Sequence, residues 1–256
     1  MKGLKGRLAL VTGGGGGIGL AICRRLAAEG CTVGILDLNG DAAKKACEVV
    51  KAEGGNASAL QADICDYAAA KAAVDAFVAQ QKRPIEILVN NVGFDIFCNF
   101  LKQSPDLFPK LVGINLVGLM NMTHIVAPGM VEKGDGRVIN ISSDAGRNGS
   151  SGETAYAAAK GGVIAFSKSM ARELAGKNVR VNCVCPGPTE TNMMNDMMNS
   201  ASSPEKFREA MLRAIPMRRF GQPDDVAGIV AFMASDDTAY ITGQTISVSG
   251  GLSMAG

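Results

Sequence analysis

The sequence predicts an α/β protein built as one domain, with a doubly wound, seven-stranded parallel sheet and helices on both faces. Short apolar runs rich in β-branched residues alternate with longer helical patterns along the whole chain, which is typical of repeated βαβ units. The chain has 256 residues, a length that one large hydrophobic core can still accommodate. No internal repeat or linker-like stretch divides it, so we expect a single domain over residues 1–256.

Each predicted strand is a short apolar run, as expected of strands buried on both faces of a parallel sheet. In chain order these runs are Leu8–Thr12, Thr32–Asp37, Ala57–Ala62, Ile85–Asn90, Arg137–Ser142, Val179–Val184 and Gln244–Val248. The longer segments between them have helical patterns, at Ile18–Glu29, Asp41–Glu53, Tyr67–Gln81, Asp106–Glu132, Ala155–Ala175 and Pro223–Ser235. Thr189–Pro216 breaks the alternation as a helical, methionine-rich insertion, and we expect residues 189–216 to form a movable lid over the substrate.

The composition excludes several classes of protein. There are 26 Lys and Arg against 24 Asp and Glu, a net charge of +2 with the signs interspersed, unlike the basic surface of a nucleic-acid-binding protein. Seven cysteines without a Cys-x-x-Cys pair, together with one histidine, argue against a disulfide framework and against a metal site. No stretch reaches the roughly 18 apolar residues that a membrane span needs. We therefore expect a cytoplasmic protein that binds neither nucleic acid nor membrane.

A run of glycines joins the first strand to the first helix. Gly13, Gly17 and Gly19 lie in the segment TGGGGGIG that starts at Thr12. Bare backbone N–H groups and the helix dipole at such a turn favour a pyrophosphate, and glycine lets the phosphate approach closely. A flexible turn is the alternative interpretation. In this strand–loop–helix context, the glycines predict dinucleotide binding on a Rossmann fold.

Asp37 ends the second predicted strand, 18 residues after Gly19. A carboxylate in this position can accept hydrogen bonds from the adenosine ribose hydroxyls, and it would repel a 2′-phosphate. No Lys or Arg lies between Gly13 and Gly19 or directly after Asp37. The sequence therefore favours NAD over NADP as cofactor, with Asp37 as a local turn or cap residue the alternative.

Tyr156 and Lys160 are one helical turn apart, on the same helix face. A phenol is a poor acid or base near neutral pH, and a fixed cation nearby is expected to stabilise the phenolate and lower the pKa of the tyrosine. The spacing alone proves little. Ser143 ends the fifth predicted strand, where ligands sit in a doubly wound sheet, and Asn115 lies on the preceding helix.

With these residues the full chain resembles the short-chain dehydrogenase/reductase family. The resemblance depends on the glycine loop, on the tyrosine and lysine pair and on further segments that match in order and spacing. These are Ala62-Asp63-Ile64, Asn90-Asn91-Val92-Gly93, Asn115, Ser143, Pro186-Gly187, Ile241-Thr242-Gly243 and Ser249-Gly250-Gly251. Two positions depart from the family pattern: Val92 stands for the usual alanine and Ser249 for the usual aspartate.

The resemblance implies a role for each site residue. Tyr156 would be the proton donor and acceptor, Ser143 would hydrogen-bond the substrate oxygen, and Lys160 would hold the nicotinamide ribose and tune the tyrosine. Asn115 would support a water chain to that lysine. The family also implies a homotetramer, for which small residues on the tyrosine helix, from Ala157 to Ala165, would allow close packing of a partner. The implied cofactor residues are Gly13, Gly17, Ile18, Gly19, Asp37, Asp63, Ile64, Asn91, Gly93, Tyr156, Lys160, Pro186, Gly187, Thr189 and Thr191.

The substrate residues are predicted from composition. The segment Phe94–Phe100 carries three of the nine phenylalanines and includes Asp95, and the insertion carries Met193, Met194, Met197 and Met198 at helical spacing. We expect Phe94, Asp95, Ser143, Met193, Met194 and Met197 to contact an apolar substrate, although plain core packing gives the same pattern. Basic residues from Lys206 to Arg219 could bind the phosphates of coenzyme A, or could form a solvated helix face.

Longer strings resemble one branch of the family, the NAD-dependent 2-hydroxycyclohexanecarboxyl-CoA dehydrogenases of alicyclic compound degradation. They include Gly93–Phe97, Gly149–Glu153, Asn182–Thr191 and Pro204–Lys206. This branch implies oxidation of a secondary alcohol in a cyclic or apolar β-hydroxyacyl-CoA. One alternative is a 3-oxoacyl-carrier-protein reductase, with Lys133 and Arg172 as docking charges. Another is a non-catalytic nucleotide-binding regulatory protein, which would be expected to have lost Ser143, Tyr156 or Lys160.

Overall fold

The computed structural model describes residues 1–200 and 203–254, and its centre is one parallel sheet. The strands are β1 Leu8–Thr12, β2 Thr32–Asp37, β3 Asn56–Gln61, β4 Ile87–Asn90, β5 Gly136–Ile141, β6 Val179–Pro186 and β7 Thr245–Val248. Their order across the sheet is β3-β2-β1-β4-β5-β6-β7, and every neighbouring pair is parallel. The predicted doubly wound, seven-stranded fold is confirmed.

The strand order reverses beside β1, which lies between β2 and β4. Thr12 at the end of β1 is level with Leu36 on one side and with Asn90 on the other. The carboxyl ends of the three strands therefore open onto one crevice, where doubly wound sheets bind their ligands.

Ten α-helices cover the sheet in the described residues. They are α1 Gly17–Ala28, α2 Gly40–Ala52, α3 Tyr67–Gln81, α4 Leu107–Val112, α5 Gly118–Lys133, α6 Asp144–Asn148, α7 Thr154–Leu174, α8 Asn192–Ser200, α9 Pro204–Ala214 and α10 Pro223–Ala234. The predicted helix Asp106–Glu132 is interrupted by a π-turn at Gly113–Val117, α6 is a short helix that the sequence pattern does not predict, and the insertion holds α8 and α9. Residues 201–202 of that insertion lie outside the described residues.

The side chains of β1 point alternately into two hydrophobic cores, one on each face of the sheet. Ala9 and Val11 pack with residues of α1, α2 and α10, whereas Leu8 and Leu10 pack with residues of α3, α5 and α7. All five residues of β1 are buried. Burial on both faces explains why the central strands are continuous apolar runs rather than alternating ones.

The segment Leu107–Lys133 is long and apolar enough, by length and composition, to cross a membrane. Polar residues such as Lys110, Asn115 and Asn121 interrupt it, so it is not the uninterrupted run of roughly 18 apolar residues that the sequence was found to lack. In the fold, Leu119 and Met122 of this segment are buried in the hydrophobic core, and the polar side chains of Asn115 and Thr123 are buried as well. Its apolar character is therefore used in packing against the rest of the chain.

Candidate active site

The glycine loop between β1 and α1 is folded tightly against the carboxyl end of β4. Gly13 has a φ of +63°, a conformation that favours glycine. A Cβ on Gly19 would lie 2.0 Å from the carbonyl oxygen of Gly13, so no larger residue fits there. The Asn91 side chain donates to the carbonyl oxygens of Thr12 and Gly13 at 3.2 and 3.1 Å. The loop is thus held by the strand next to it.

The amino end of α1 faces the crevice without a side chain of its own to cap it. Its N-cap is Gly16, and Ile18 is the second residue of the helix. Thr191, from the segment after β6, lies across the loop, with Cγ2 3.6 Å from the position that a Cβ of Gly17 would take. Uncapped N–H groups and a positive helix end fit the pyrophosphate of a dinucleotide.

Asp37 lies at the end of β2 and faces the glycine loop. Its Oδ2 accepts from the Gly15 backbone N–H at 3.0 Å, and its Oδ1 accepts from Asn39 N–H at 3.0 Å. The carboxylate thus makes the local contacts expected of a turn or cap residue, which was the alternative interpretation of Asp37. Since each carboxylate oxygen accepts more than one hydrogen bond, these contacts leave it able to bind ribose hydroxyls as well.

Asp63 and Ile64 follow β3 on the same side of the sheet. Asp63 is exposed, and its Oδ1 accepts from the Cys65 backbone N–H at 2.8 Å. Ile64 is buried against α5, where the Asn121 side chain donates to its carbonyl oxygen at 2.9 Å. Both residues lie beyond Asp37 in strand order, on the side where the adenosine end of a dinucleotide would be bound.

Lys160 is only 2% exposed, the largest of the fully buried side chains, and its ammonium lies among backbone carbonyls. Nζ donates to the carbonyl oxygen of Ile141 at 3.0 Å and, more weakly, to that of Val92 at 3.5 Å. Gly93 lies beside it: a Cβ there would be 3.5 Å from Nζ. Burial lowers the pKa of Lys160 to about 8.

Asn115 lies in the π-turn between α4 and α5, and its side chain extends to the loop after β4, beside Gly93. Its Nδ2 donates to the carbonyl oxygens of Leu111 at 2.9 Å and Phe94 at 2.7 Å, and its Oδ1 accepts from Phe94 N–H at 3.1 Å. The side chain therefore ties the helix to the loop after β4. Widened turns of this kind are frequent at functional sites.

Ser143 and Tyr156 converge above Lys160. Ser143 caps α6, with its Oγ accepting from Ala145 N–H at 3.1 Å, and its hydroxyl is close enough to the Tyr156 phenol to oppose the rise in the pKa of that phenol. Lys160 Nζ lies 5.7 Å from the centroid of the Tyr156 ring. The four residues predicted as catalytic are therefore gathered at one edge of the sheet.

The expectation that Lys160 lowers the pKa of Tyr156 is not met. Burial raises the pKa of the phenol above its ordinary value, and the negative charges of Glu153 and Asp95 raise it further, against the effect of the Ser143 hydroxyl. The Lys160 ammonium is directed at the carbonyls of Ile141 and Val92 rather than at the phenol oxygen.

A buried polar network beneath these residues has no counterpart in the predicted site. Asn90 on β4 donates to Asn140 Oδ1 at 2.9 Å and to Thr123 Oγ1 at 3.0 Å, and Asn140 donates to Ser167 Oγ at 2.9 Å. Ser142 Oγ donates to the Lys160 carbonyl oxygen at 2.8 Å. Asparagines in otherwise apolar central strands were the available signal, because a buried amide has to find partners.

The segment after β6 lies beside Ser143. Gly187 N–H donates to the Val248 carbonyl oxygen at 3.0 Å, and Thr189 Oγ1 donates to the Gly187 carbonyl oxygen at 2.9 Å. Pro186 ends β6 and is buried. Asp144 is buried next to Gly187, with Oδ1 accepting from Ser247 Oγ at 2.8 Å. The predicted cofactor residues 186–191 therefore border the same crevice as the tetrad.

The predicted substrate residues separate into two groups. Phe94 and Asp95 lie on the loop after β4, beside Asn115 and Tyr156. Met194 is buried with Met198, Ile215 and Phe220 in a small core of the insertion, which is the packing role that the pattern also allowed. The other two predicted methionines differ: Met193 is 41% exposed and Met197 packs partly against this small core.

Comparison with known proteins agrees with this geometry. The family model described as Enoyl-(Acyl carrier protein) reductase matches residues 14–253. The 3-oxoacyl-(acyl-carrier-protein) reductase FabG of Thermotoga maritima is 39% identical over 253 residues, covering 97% of this chain and 98% of that protein. The (3R)-3-hydroxyacyl-CoA dehydrogenase of Homo sapiens is 39% identical over 259 residues, covering 98% and 97%. The crystal structure of NAD⁺-bound xylitol dehydrogenase superposes with a TM-score of 0.94 at 32% identity, covering 98% and 100%.

The fold and the site define an oxidoreductase that acts on hydroxyl groups with a nicotinamide cofactor. The chain belongs to the short-chain dehydrogenase/reductase family. The glycine loop and the uncapped end of α1 fit that cofactor on their own geometry.

The burial of Lys160 predicts a pH-dependent cost to stability. Because its pKa falls from 10.5 to about 8 on folding, the unfolded chain binds more protons between these two values. Stability of the cofactor-free protein should therefore rise with pH across this window. Replacing Lys160→Met should stabilise the protein at pH 7 by roughly 1–3 kcal/mol, after allowance for the lost hydrogen bonds, and by less at pH 10.

Urea unfolding of both proteins at pH 7 and pH 10 measures this effect. Lys168→Met, an exposed position on the same helix, is the matched control and should change stability little at either pH. A Lys160→Met protein less stable than the parent at pH 7 would contradict the assigned cost.

Proposed function

We propose that this chain is an NAD-dependent dehydrogenase that oxidises the hydroxyl of a cyclic or otherwise apolar β-hydroxyacyl-CoA, such as 2-hydroxycyclohexanecarboxyl-CoA, to the β-keto thioester. The observation that carries the proposal is the apolar wall beside the tetrad. The Phe97 ring contacts the Phe207 ring of α9, with centroids 5.7 Å apart, and it also lies against Gly152, so the phenylalanine loop meets the insertion near the start of the helix that carries Tyr156. The relative named as a hydroxyacyl-CoA dehydrogenase supports the thioester.

The chain's own residues divide the work of the reaction. Tyr156 takes the proton of the substrate hydroxyl, Ser143 hydrogen-bonds the same oxygen, and the Lys160 ammonium holds a ribose. Asn115 fixes the loop that carries Phe94 and supports a water chain to Lys160. When bound, the nicotinamide supplies the hydride acceptor.

The cofactor is held by residues along the crevice. The glycine loop from Gly13 to Gly19 takes the pyrophosphate, Asp37 takes the adenosine ribose, and Asp63 with Ile64 borders the adenine. Asn91 and Gly93 lie along the middle of the molecule. Residues 189–216 act as a lid, whose first part, from Pro186 to Thr191, packs on the nicotinamide. The segment is bridged to the body of the chain between Thr189 and Gly221.

A 3-oxoacyl-carrier-protein reductase is the second candidate, because the FabG relative matches over the same length as the dehydrogenase. Of the two suggested docking charges, Lys133 is paired with Glu86 at 2.6 Å, whereas Arg172 is exposed on α7. Asp37, without basic neighbours in sequence, favours NAD over the phosphorylated cofactor and therefore favours the dehydrogenase. A regulatory protein without turnover is disfavoured because Ser143, Tyr156 and Lys160 are all present and converge.

We further propose a homotetramer, as the family resemblance implies. The support is an exposed apolar surface on the π-turn and α5, where Val117 is 44% and Met120 is 41% exposed, together with the exposed small residues Ala158 and Ala165 on α7. Ala159 is buried and Gly161 lies against α6, so that part of the small face serves packing within the chain. Light scattering at micromolar concentration distinguishes the tetramer from a monomer.

Tyr156→Phe tests the proton step. The variant should lose roughly 10²–10⁴-fold in kcat, the range typical of a positioned acid or base, while NAD affinity stays nearly unchanged. In the parent protein, oxidation should accelerate as pH rises, because the buried phenol has to ionise. Tyr240→Phe, at a fully exposed position, is the control. Near-normal turnover in Tyr156→Phe would refute the assignment and favour the regulatory alternative.

The cofactor preference is tested by kcat/KM for NAD and NADP. We expect NAD to be preferred, because the Asp37 carboxylate and a 2′-phosphate would repel each other in a partly desolvated site. Asp37→Ala should relax the preference, and Asp41→Ala, which removes an exposed carboxylate paired with Lys44, should not. Equal use of both cofactors by the parent protein would overturn the proposal.

The thioester is tested with 2-hydroxycyclohexanecarboxyl-CoA, its ethyl ester analogue and a linear 3-hydroxyacyl-CoA. If the carrier binds, its binding energy should raise kcat/KM for the thioester above that for the ester. Replacing Arg208 and Arg213 by alanine should lower kcat/KM for the CoA thioester and leave that for the ester unchanged. Both arginines are exposed, and each pairs with a glutamate. Arg172→Ala is the corresponding variant for the second candidate function, because Arg172 is a suggested docking charge for a carrier protein. Equal kcat/KM for ester and thioester would eliminate the carrier, and a strong preference for the linear chain would eliminate the ring.

A further inference from the structure

Two carboxyl groups contact each other beside Tyr156, on the substrate side of the site. Asp95 lies on the loop after β4, and Glu153 immediately precedes α7, one helical turn before Tyr156. They are close enough for the charge of Glu153 to raise the pKa of Asp95. Two neighbouring carboxyl groups repel each other when both are ionised, so protonation of one of them is favoured.

The surrounding structure keeps the pair in place. Cys98 N–H donates to the Gly152 carbonyl oxygen at 2.8 Å, which joins the loop after β4 to the segment before α7. Glu153 does not cap α7; its carboxylate instead accepts from the Ser150 hydroxyl. Oδ1 of Asp95 is buried without a hydrogen-bond partner. The pair therefore has little room to separate and retains an unsatisfied acceptor.

The nearby cations do not neutralise the pair. Lys110 of α4 lies over the Phe94 ring at 4.8 Å, and Lys160 is directed at backbone carbonyls. On α6, Asp144 and Arg147 both bind Ser247. Neither carboxyl group forms an ion pair with any residue in 1–200 or 203–254. The substrate side of Tyr156 is consequently a region of negative charge.

We propose that Asp95 and Glu153 form a charge filter, which rejects β-hydroxy acids with a free carboxylate and admits neutral esters and thioesters. The proposal rests on the proposed function in taking a β-hydroxyacyl group as the substrate. In such a compound the carboxyl carbon is two bonds from the carbinol carbon. When the hydroxyl is bound by Ser143 and Tyr156, an ionised carboxylate must therefore enter the field of the pair, where like charges repel.

The filter depends on pH. Burial, followed by the charge of Glu153, raises the pKa of Asp95 to about 7. Asp95 is ionised above that pH and protonated below it, so the negative charge of the pair decreases by one as the pH falls through 7. The free hydroxy acid is ionised across this whole range. Rejection of the acid should therefore strengthen as pH rises through 7.

The experiment compares a neutral and an anionic substrate that share the hydroxylated ring, differ only at the carboxyl group and both lack coenzyme A. These are ethyl 2-hydroxycyclohexanecarboxylate and 2-hydroxycyclohexanecarboxylate, assayed with saturating NAD at pH 6 and pH 8. The readout is the ratio of kcat/KM for the ester to that for the acid. Because both compounds use Tyr156, a change in the pKa of that phenol cancels in the ratio.

In the parent protein we expect the ratio to be at least about tenfold higher at pH 8 than at pH 6, as one additional charge requires. Asp95→Asn keeps one negative charge at both pH values, so its ratio should be low and nearly independent of pH. Glu153→Gln leaves the buried Asp95 as the only carboxyl group of the pair, so its ratio at pH 8 should fall below that of the parent protein, and this variant provides the test if Asp95→Asn does not fold. Asp106→Asn, an exposed position before α4, is the matched control and should retain the parent ratio.

Two results would overturn the filter. If both variants lose activity on ester and acid alike, with the ratio and its pH dependence unchanged, the carboxyl groups have only a structural or hydrogen-bonding role. If the parent protein uses the acid as well as the ester at pH 8, no rejection exists. Failure of the proposed thioester substrate is a separate result, because it would appear as equal use of ester and CoA thioester and would leave the ester-to-acid ratio unaffected.

If the parent protein turns over the CoA thioester but not the ethyl ester, rejection of the free acid is measured by inhibition instead. The inhibition constant of the free acid against thioester turnover should then rise from pH 6 to pH 8 in the parent protein and stay level in Asp95→Asn. A constant that is independent of pH in the parent protein would overturn the proposal.

Discussion

The site depends on one constraint, the burial of the Lys160 ammonium at the carboxyl edge of the sheet. An isolated buried charge is costly, and here backbone carbonyl oxygens provide the compensation in place of a carboxylate. The neighbouring structure is arranged around this group. Ser142 holds the backbone of Lys160, and Asn115 reaches the loop above it through a widened turn. Part of the protein's stability is given up to keep a cation where the reaction needs one.

The scaffold and the substrate-facing surface are built in different ways. The cofactor side is made of strand ends and of a glycine loop held by Asn91, and its geometry follows from the sheet. The substrate side is made of the loop after β4, the segment before α7 and the insertion, which meet at the contact of Phe97 with Phe207. Loops vary more readily than the strand ends that position them, so the substrate side can change while the cofactor side stays the same.

Most of the fold was predictable because buried parallel strands and amphipathic helices have distinct periods. The predicted secondary structure is wrong where a side chain competes with the backbone for hydrogen bonds. Asn115 accompanies a π-turn inside a helix predicted to be regular, and Ser143 starts the short helix α6 directly after β5.

The sequence by itself determined the order of strands and helices, the glycine loop, and the identity of the residues that meet at the carboxyl edge of the sheet. These follow from local patterns and from short spacings such as that between Tyr156 and Lys160. Only the tertiary structure decided the charge on each group, because a pKa depends on burial and on neighbours distant in sequence. Asp95 and Glu153 are 58 positions apart, and their contact arises only when the loop after β4 folds against the start of α7.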